Sequence, residues 1–176
     1  DSQGAAAPKS GRDGRATEAR GWVHTTPLIE QGSVLLSRAG NHFTLHQPYF
    51  HKAVILIVEH NDEDGTAGVI LNRPMSAMSN ADGVGWPMWC GGPCSGLDLP
   101  ESEQSLWCLH TSAQLSDISE PVIRSVFIAS FEDACGAVKA GRALPDDFML
   151  VCGYCGWSPG PLQDELDHGR SWTMAA

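Results

Sequence analysis

Apolar residues in this chain come as short runs bounded by glycine, proline and acidic turns, a pattern of strands rather than long helices. The run Ser33 to Arg38, between Gly32 and Gly40, predicts a first strand. Ala53 to Glu59 and Ala67 to Leu71 predict two more, paired as a hairpin with a long loop across the acidic turn His60 to Thr66. Ala53 to Val58 is almost continuously apolar, so this strand is expected to be covered on both faces. Pro74 ends the second strand of the pair, and "MSAMSNADGVGWP" after it reads as a loop with a short helical turn. Further short strands are predicted in "MWCGGPCSG", which runs into a glycine turn, in "SLWCLHT" and in "SVFIAS".

Helical periodicity enters at Ser130. With Asp133 it approximates a capping box, and Phe131, Ala134, Cys135 and Val138 share one face before Gly141 stops the helix. "DFMLVCGY" predicts the last long strand. A final helix is expected with Ser158 as cap and Pro159 in its first position, where proline is favoured. It turns Leu162 and Leu166 inward, exposes Asp164, Glu165 and Asp167, and ends at Gly169.

Composition limits the partners. A chain of 176 residues with 42% hydrophobic and 18% charged residues is expected to form one self-sufficient domain, here residues 30–176. Residues 1–29 read as a low-complexity tail of Gly, Ala, Ser and Arg that has no core of its own. Such a tail needs something to hold it, either another subunit or its own domain. Arg12, Arg15 and Arg20 with Ser2 and Ser10 suit the region around an organelle cleavage site, although Asp1, Asp13 and Glu18 are atypical there. The absence of a starting methionine is consistent with processing or with an incomplete sequence. A net charge of −10 opposes phosphate contacts, so no nucleic-acid partner is expected. No apolar run approaches the ~20 residues of a membrane-spanning helix, so any membrane contact would come through a protein partner.

The stretch "MLVCGYCGWSPGPLQDEL" holds most of the apparent chemistry. Gly156 to Gly160 spells the G-x-S-x-G of a hydrolase elbow, but Pro159, the residue after the serine, has no N–H to stabilise an oxyanion. Only sixteen residues follow Gly160, too few to bring an acid and a histidine back on later loops. Cys152 and Cys155 have C-x-x-C spacing, yet the expected helix starts downstream of both, and an extended chain points residues i and i+3 to opposite faces. Gly153 and Gly156 leave a knuckle open, so a redox pair stays as the alternative. Cys90 and Cys94 would complete a four-thiol zinc set by spacing, but Trp86 and Trp89 make that segment an apolar strand entering a turn, and no metal is expected. With Cys108 and Cys135, the six cysteines are read as reduced structural thiols. The seven histidines (His24, His42, His46, His51, His60, His110 and His168) show no ligand spacing and are read as surface or hydrogen-bonded groups. No cofactor is implied.

"GSVLLSRAG", "FHKAVILIVEH", "GTAGVILNRP", "CGGPC", "LWCLH" and "FMLVCGYCGWSPGPLQDEL" followed by "GRSW" occur in one order. In these pieces residues 30–173 resemble the AlgH/YqgE-like family, known from bacteria, plants and algae, and the chain is read as an organellar eukaryotic member. The resemblance implies an α+β fold with a compact, barrel-like, mostly antiparallel β core flanked by helices, and no established reaction. The family's old transcriptional-regulator label finds no support in the acidic charge. Asn72, Arg73 and Pro74, Gly91, Gly92 and Pro93, and Gly153, Tyr154, Gly156 and Trp157 match the signature, either as a ligand patch or as residues that hold turns. Cys94 and Cys155 stand where the family has small or apolar residues, Pro161-Leu162-Gln163 departs from its usual helix start, and bacterial members continue past the position of Trp172. The expected function is a non-catalytic accessory or assembly subunit of a larger protein complex. Its expected setting is a plastid, at a photosynthetic (thylakoid) membrane, with the mitochondrion as the alternative.

Overall fold

Alternation along single strands lets this chain feed three hydrophobic layers at once. The structure, a computed structural model, describes residues 24–38, 47–169 and 171–176. Strand β1 is Val34–Ser37, and β2 (Val54–Asn61) and β3 (Gly65–Ile70) form the expected hairpin, with a tighter loop than the sequence implied. Ile55, Leu56 and Ile57 on β2 are all buried. Leu56 points into a core between two sheets, and Ile55 and Ile57 into a core on the outer side. Burying one such side chain contributes roughly 1.5–3 kcal/mol, which explains the unbroken apolar run.

The segment after Pro74 is a correction. It is no loop but a second hairpin, β4 (Pro74–Ala81) and β5 (Val84–Cys90). Asp82 and Gly83 both have left-handed φ (52° and 79°), the geometry of a two-residue hairpin turn that favours Asp-Gly. The weak apolar alternation of β4 hid a strand that its turn dipeptide announces. Strands β6 (Leu106–His110), β8 (Val126–Ser130) and β9 (Met149–Cys152) fall where expected. Three strands were not anticipated: β7 (Glu120–Ile123), β10 (Cys155–Trp157) and β11 (Trp172–Ala175). β7 carries Pro121, which is tolerated because β7 is an edge strand.

These strands build a five-stranded sheet in the order β10-β3-β2-β1-β11 and a six-stranded sheet in the order β4-β5-β9-β6-β8-β7. All pairings are antiparallel except β5 with β9. Between the sheets lie Leu56, Val69, Leu109, Val122 and Val151. Helix α1 (Phe131–Lys139) covers the outer face of the larger sheet over Trp86, Cys108, Leu150 and Cys152. Its cap is as read: the Ser130 hydroxyl accepts from the Asp133 N–H at 3.1 Å, and Gly141 leaves the helix at φ 69°.

The final helix departs from expectation. Strand β10 runs through Trp157, so Ser158 is not the cap. Gly160 (φ 99°) occupies that position and Pro161 is the first helical residue of α2 (Pro161–Asp164), which widens into a π turn over Glu165–Gly169. Leu162 and Leu166 do face inward, onto the outer core of the smaller sheet. The fold is thus α+β, two β layers between two helical ones. Of the sequence-defined tail, residues 1–23, with their arginines, serines and acids, lie outside the described residues. His24 and Ala176 exchange backbone bonds of 3.1 and 3.0 Å, so the start of the described chain lies along β11 of its own domain.

Candidate functional site

Four of the ten signature residues, Gly91, Gly92, Gly153 and Tyr154, hold a backbone crossing. The chain passes from the six-stranded to the five-stranded sheet at Gly153-Tyr154, directly against the turn that follows β5. The Gly91 N–H donates to the Cys152 carbonyl (2.8 Å), and the Gly91 carbonyl accepts from the Ile70 N–H (2.8 Å), so the turn after β5 touches both sheets. Cys94 and Tyr154 exchange backbone bonds of 2.9 and 3.0 Å. No Cβ fits here: one at Gly91 would lie 2.1 Å from the Gly153 oxygen, and one at Gly92 would lie 2.2 Å from the Tyr154 carbonyl carbon. Pro93 is exposed at the outside of this turn. Asn72 and Arg73 secure a different loop. Asn72 accepts from the Val54 N–H (3.0 Å) and donates to the Lys52 carbonyl (2.9 Å), while Arg73 donates to the His51 and Asn72 carbonyls. That loop contains Lys52 at φ 55°, so the pair fixes a strained turn, and Pro74 opens β4 opposite Trp89.

The crossing also separates the C-x-x-C thiols. Cys152 ends β9 and is buried in the α1-side core, whereas Cys155 begins β10 and is buried in the α2-side core. Their nearest polar atoms differ as well, Gln104 Oε1 at 3.4 Å for Cys152 and the Gly91 carbonyl at 3.5 Å for Cys155. Burial pushes both thiols above the ordinary range and Cys108 to about 12, away from reactive thiolate. Cys90 and Cys135 are raised by the same cause. All six cysteines are free, and among the described residues no group of three or more His, Cys, Asp or Glu is placed to hold a metal.

His110 overturns part of the histidine reading. His42 and His46 lie outside the described residues, but His110 is only 4% exposed and sits between the Phe127 ring (5.4 Å, stacked) and the Phe148 ring (5.5 Å, edge-on). Neither ring nitrogen reaches a hydrogen-bond partner of good geometry. Desolvation lowers its pKa, against a weaker opposing pull from the Ser112 backbone. The folded state therefore keeps it neutral at pH values where the unfolded chain protonates it. Stability should be full above the unfolded pKa of about 6.5 and fall as pH drops towards 5. We expect urea midpoints of the His110→Leu variant to change less between pH 7 and 5 than those of the parent protein. An equal pH slope would show that His110 does not set it.

Beside the crossing, the two sheets part into an open groove of about 800 Å³. Its floor on the five-stranded sheet is a row of register partners, Gly156, Ala67 and Glu59, running across β10, β3 and β2. Two of the three are small, and this leaves the space unfilled. A bulge after Ile57 lets Val58 and Glu59 both line it. The opposite wall has Trp107, 40% exposed, and Ile128, with Tyr154 at the inner end. Glu120, the register partner of Ile128, shares its face, so Glu59, Asp64 and Glu120 line the groove with no lysine or arginine among the described lining residues. Gln31 sets the width by donating from one amide nitrogen to Val58 of one sheet (2.9 Å) and Pro121 of the other (3.2 Å). Behind the hairpin, His60 and Thr66 are cross-strand partners joined at 2.8 Å, which closes the turn. Of the signature, Tyr154, Gly156 and Trp157 line the groove. Trp107, Glu59, Glu120 and Gln31 were not singled out from sequence, because their meeting depends on how the two sheets splay.

The AlgH-like family profile matches residues 40–176. A UPF0301 protein of Chlorobaculum parvum is 30% identical over 155 residues, covering 85% of this chain and 76% of that protein. A UPF0301 protein of Thiobacillus denitrificans is 30% identical over 145 residues, covering 77% of each. The fold resembles the solution structure of the AlgH protein from Pseudomonas aeruginosa, with a TM-score of 0.61 at 21% identity over 86% of this chain and 79% of that one. It is also similar to a crystal structure of a Corynebacterium diphtheriae protein, with a TM-score of 0.60 at 19% identity over 84% and 76% of the respective chains.

Proposed function

The chain belongs to the AlgH-like family, and on that premise we propose that it is a non-catalytic, protein-binding subunit of a larger assembly. The observation that carries this reading is the inter-sheet groove: an exposed tryptophan faces small residues, with polar groups at the rim. Aromatic anchors in a concave, partly apolar surface are what protein interfaces concentrate. The two chemistries suggested by the sequence are supported less well. Ser158 is followed by a proline without an N–H, and the C-x-x-C thiols lie in different cores. The proposed setting is a plastid, at a photosynthetic membrane reached through partner proteins, and rests on the arginine- and serine-bearing tail.

Size-exclusion chromatography of a native extract tests the reading. We expect elution well above the chain's own 18.8 kDa, with other chains co-eluting, and a shift towards the free position for the Trp107→Ala variant. Elution of the parent protein as a free monomer would overturn it.

A further inference from the structure

We infer that the groove accepts an extended segment of the partner that carries a basic side chain, with the cation over Trp107 and between Glu59 and Glu120. This rests on the reading of the groove as a protein-docking site and adds the chemistry of its occupant.

One edge strand borders the groove with its backbone open: β10, which contributes Gly156 and Trp157, is paired only with β3 among the described strands, whereas at β7 Pro121 has no N–H and its carbonyl accepts from Gln31. An edge strand offers a free row of backbone donors and acceptors to an incoming chain, the usual way an extended peptide gains affinity. A small free cation would leave that row unused, so the arrangement favours a peptide. Charge then selects the side chain. Glu59, Asp64 and Glu120 line the space with no lysine or arginine among the described lining residues, in a molecule of net charge −10. Trp107 is 40% exposed on the face that points between the sheets. A guanidinium or ammonium over an indole face gains from the ring quadrupole, and the gain grows as the site closes. Here the flanking carboxylates would add to it, and the small residues Ala67 and Gly156 leave room for a long side chain.

The full chain, labelled so that the Trp107 indole N–H is assigned by its loss in Trp107→Phe, can be titrated with three pentapeptides. These are acetyl-Val-Thr-Arg-Thr-Val-amide and its Gln and Glu counterparts at the central position. The Arg peptide should shift the Trp107 resonance and bind about tenfold or more tighter than the Gln peptide, with the Glu peptide weakest. The double variant Glu59→Gln/Glu120→Gln should lose about tenfold for the Arg peptide alone, and the advantage should shrink with added salt. Equal binding of the Arg and Gln peptides, an unchanged affinity in the double variant, or no binding by any peptide would each overturn the inference. If at the same time Trp107→Ala still releases the chain from its complex, the groove remains the docking site and only its proposed chemistry is wrong. If the parent chain elutes as a free monomer, the docking reading itself has failed.

Discussion

Gly153→Ala should leave the protein insoluble, or lower its thermal midpoint by about 10–20 °C, the scale that 4–6 kcal/mol implies for a domain of this size. Gly153 sits at φ 76°, where a side chain costs about 1–2 kcal/mol. The added Cβ would lie 2.6 Å from the Gly92 oxygen and 2.9 Å from the Cys94 oxygen. Both are backbone atoms and cannot turn aside as a side chain would. The crossing would have to open, at the expense of the paired bonds between Cys94 and Tyr154 and the bond from Gly91 to Cys152. Each such bond contributes roughly 0.5–1.5 kcal/mol net, in a domain whose whole stability is about 5–15 kcal/mol. Gly83→Asn is the control. Its φ is also left-handed, 79°, but a Cβ there meets nothing within 4 Å, so this change should cost well under 1 kcal/mol. Circular dichroism melts of the two variants decide the matter. If both lose little stability, the crossing does not bear on the fold as its geometry implies.

This contrast shows what the sequence could and could not convey. The strands that were legible are those whose side chains report burial directly, above all β2, where Ile55, Leu56 and Ile57 fill two cores. Helix α1 was legible because its cap and apolar face are local. β4 leaves little trace in the sequence because its side chains are mostly exposed and small, so only the Asp82-Gly83 turn announces it. β10 and β11 are short and owe their pairing to distant residues of β3 and β1, which no local pattern contains. The glycine signature was visible, but its meaning was not. Gly91 and Gly153 approach each other across about sixty positions of chain, and only the fold shows that contact to be backbone on backbone. The C-x-x-C pair failed for a related reason. Its two middle residues are the ones that change sheets, so a spacing that suggests proximity delivers the thiols to opposite sides of the sandwich.

Trp172→Ala should be the most damaging side-chain truncation on the α2 side, costing about 3–5 kcal/mol. Trp172 is 1% exposed, edge-on to Phe50 at 5.5 Å and to Trp157 at 6.4 Å, and its indole N–H donates to Glu165 Oε2 at 2.7 Å. The bond links β11 to the π turn, so truncation opens a cavity and also leaves Glu165 without that donor. Trp172→Phe helps to separate the two effects: it keeps one aromatic ring in place and loses the donor together with the smaller part of the indole, so it should cost nearer 1–3 kcal/mol. Glu165→Gln should cost less than either, because the amide oxygen can still accept from the indole. Urea unfolding of the three variants should give the order Ala, Phe, Gln from most to least destabilised. A Phe variant as damaged as the Ala variant would place the stabilisation in the hydrogen bond rather than in packing. Because Trp157 packs on Trp172 and also lines the groove, the Ala variant should bind the Arg peptide more weakly even at temperatures where it remains folded. The Gln variant should bind it as the parent does.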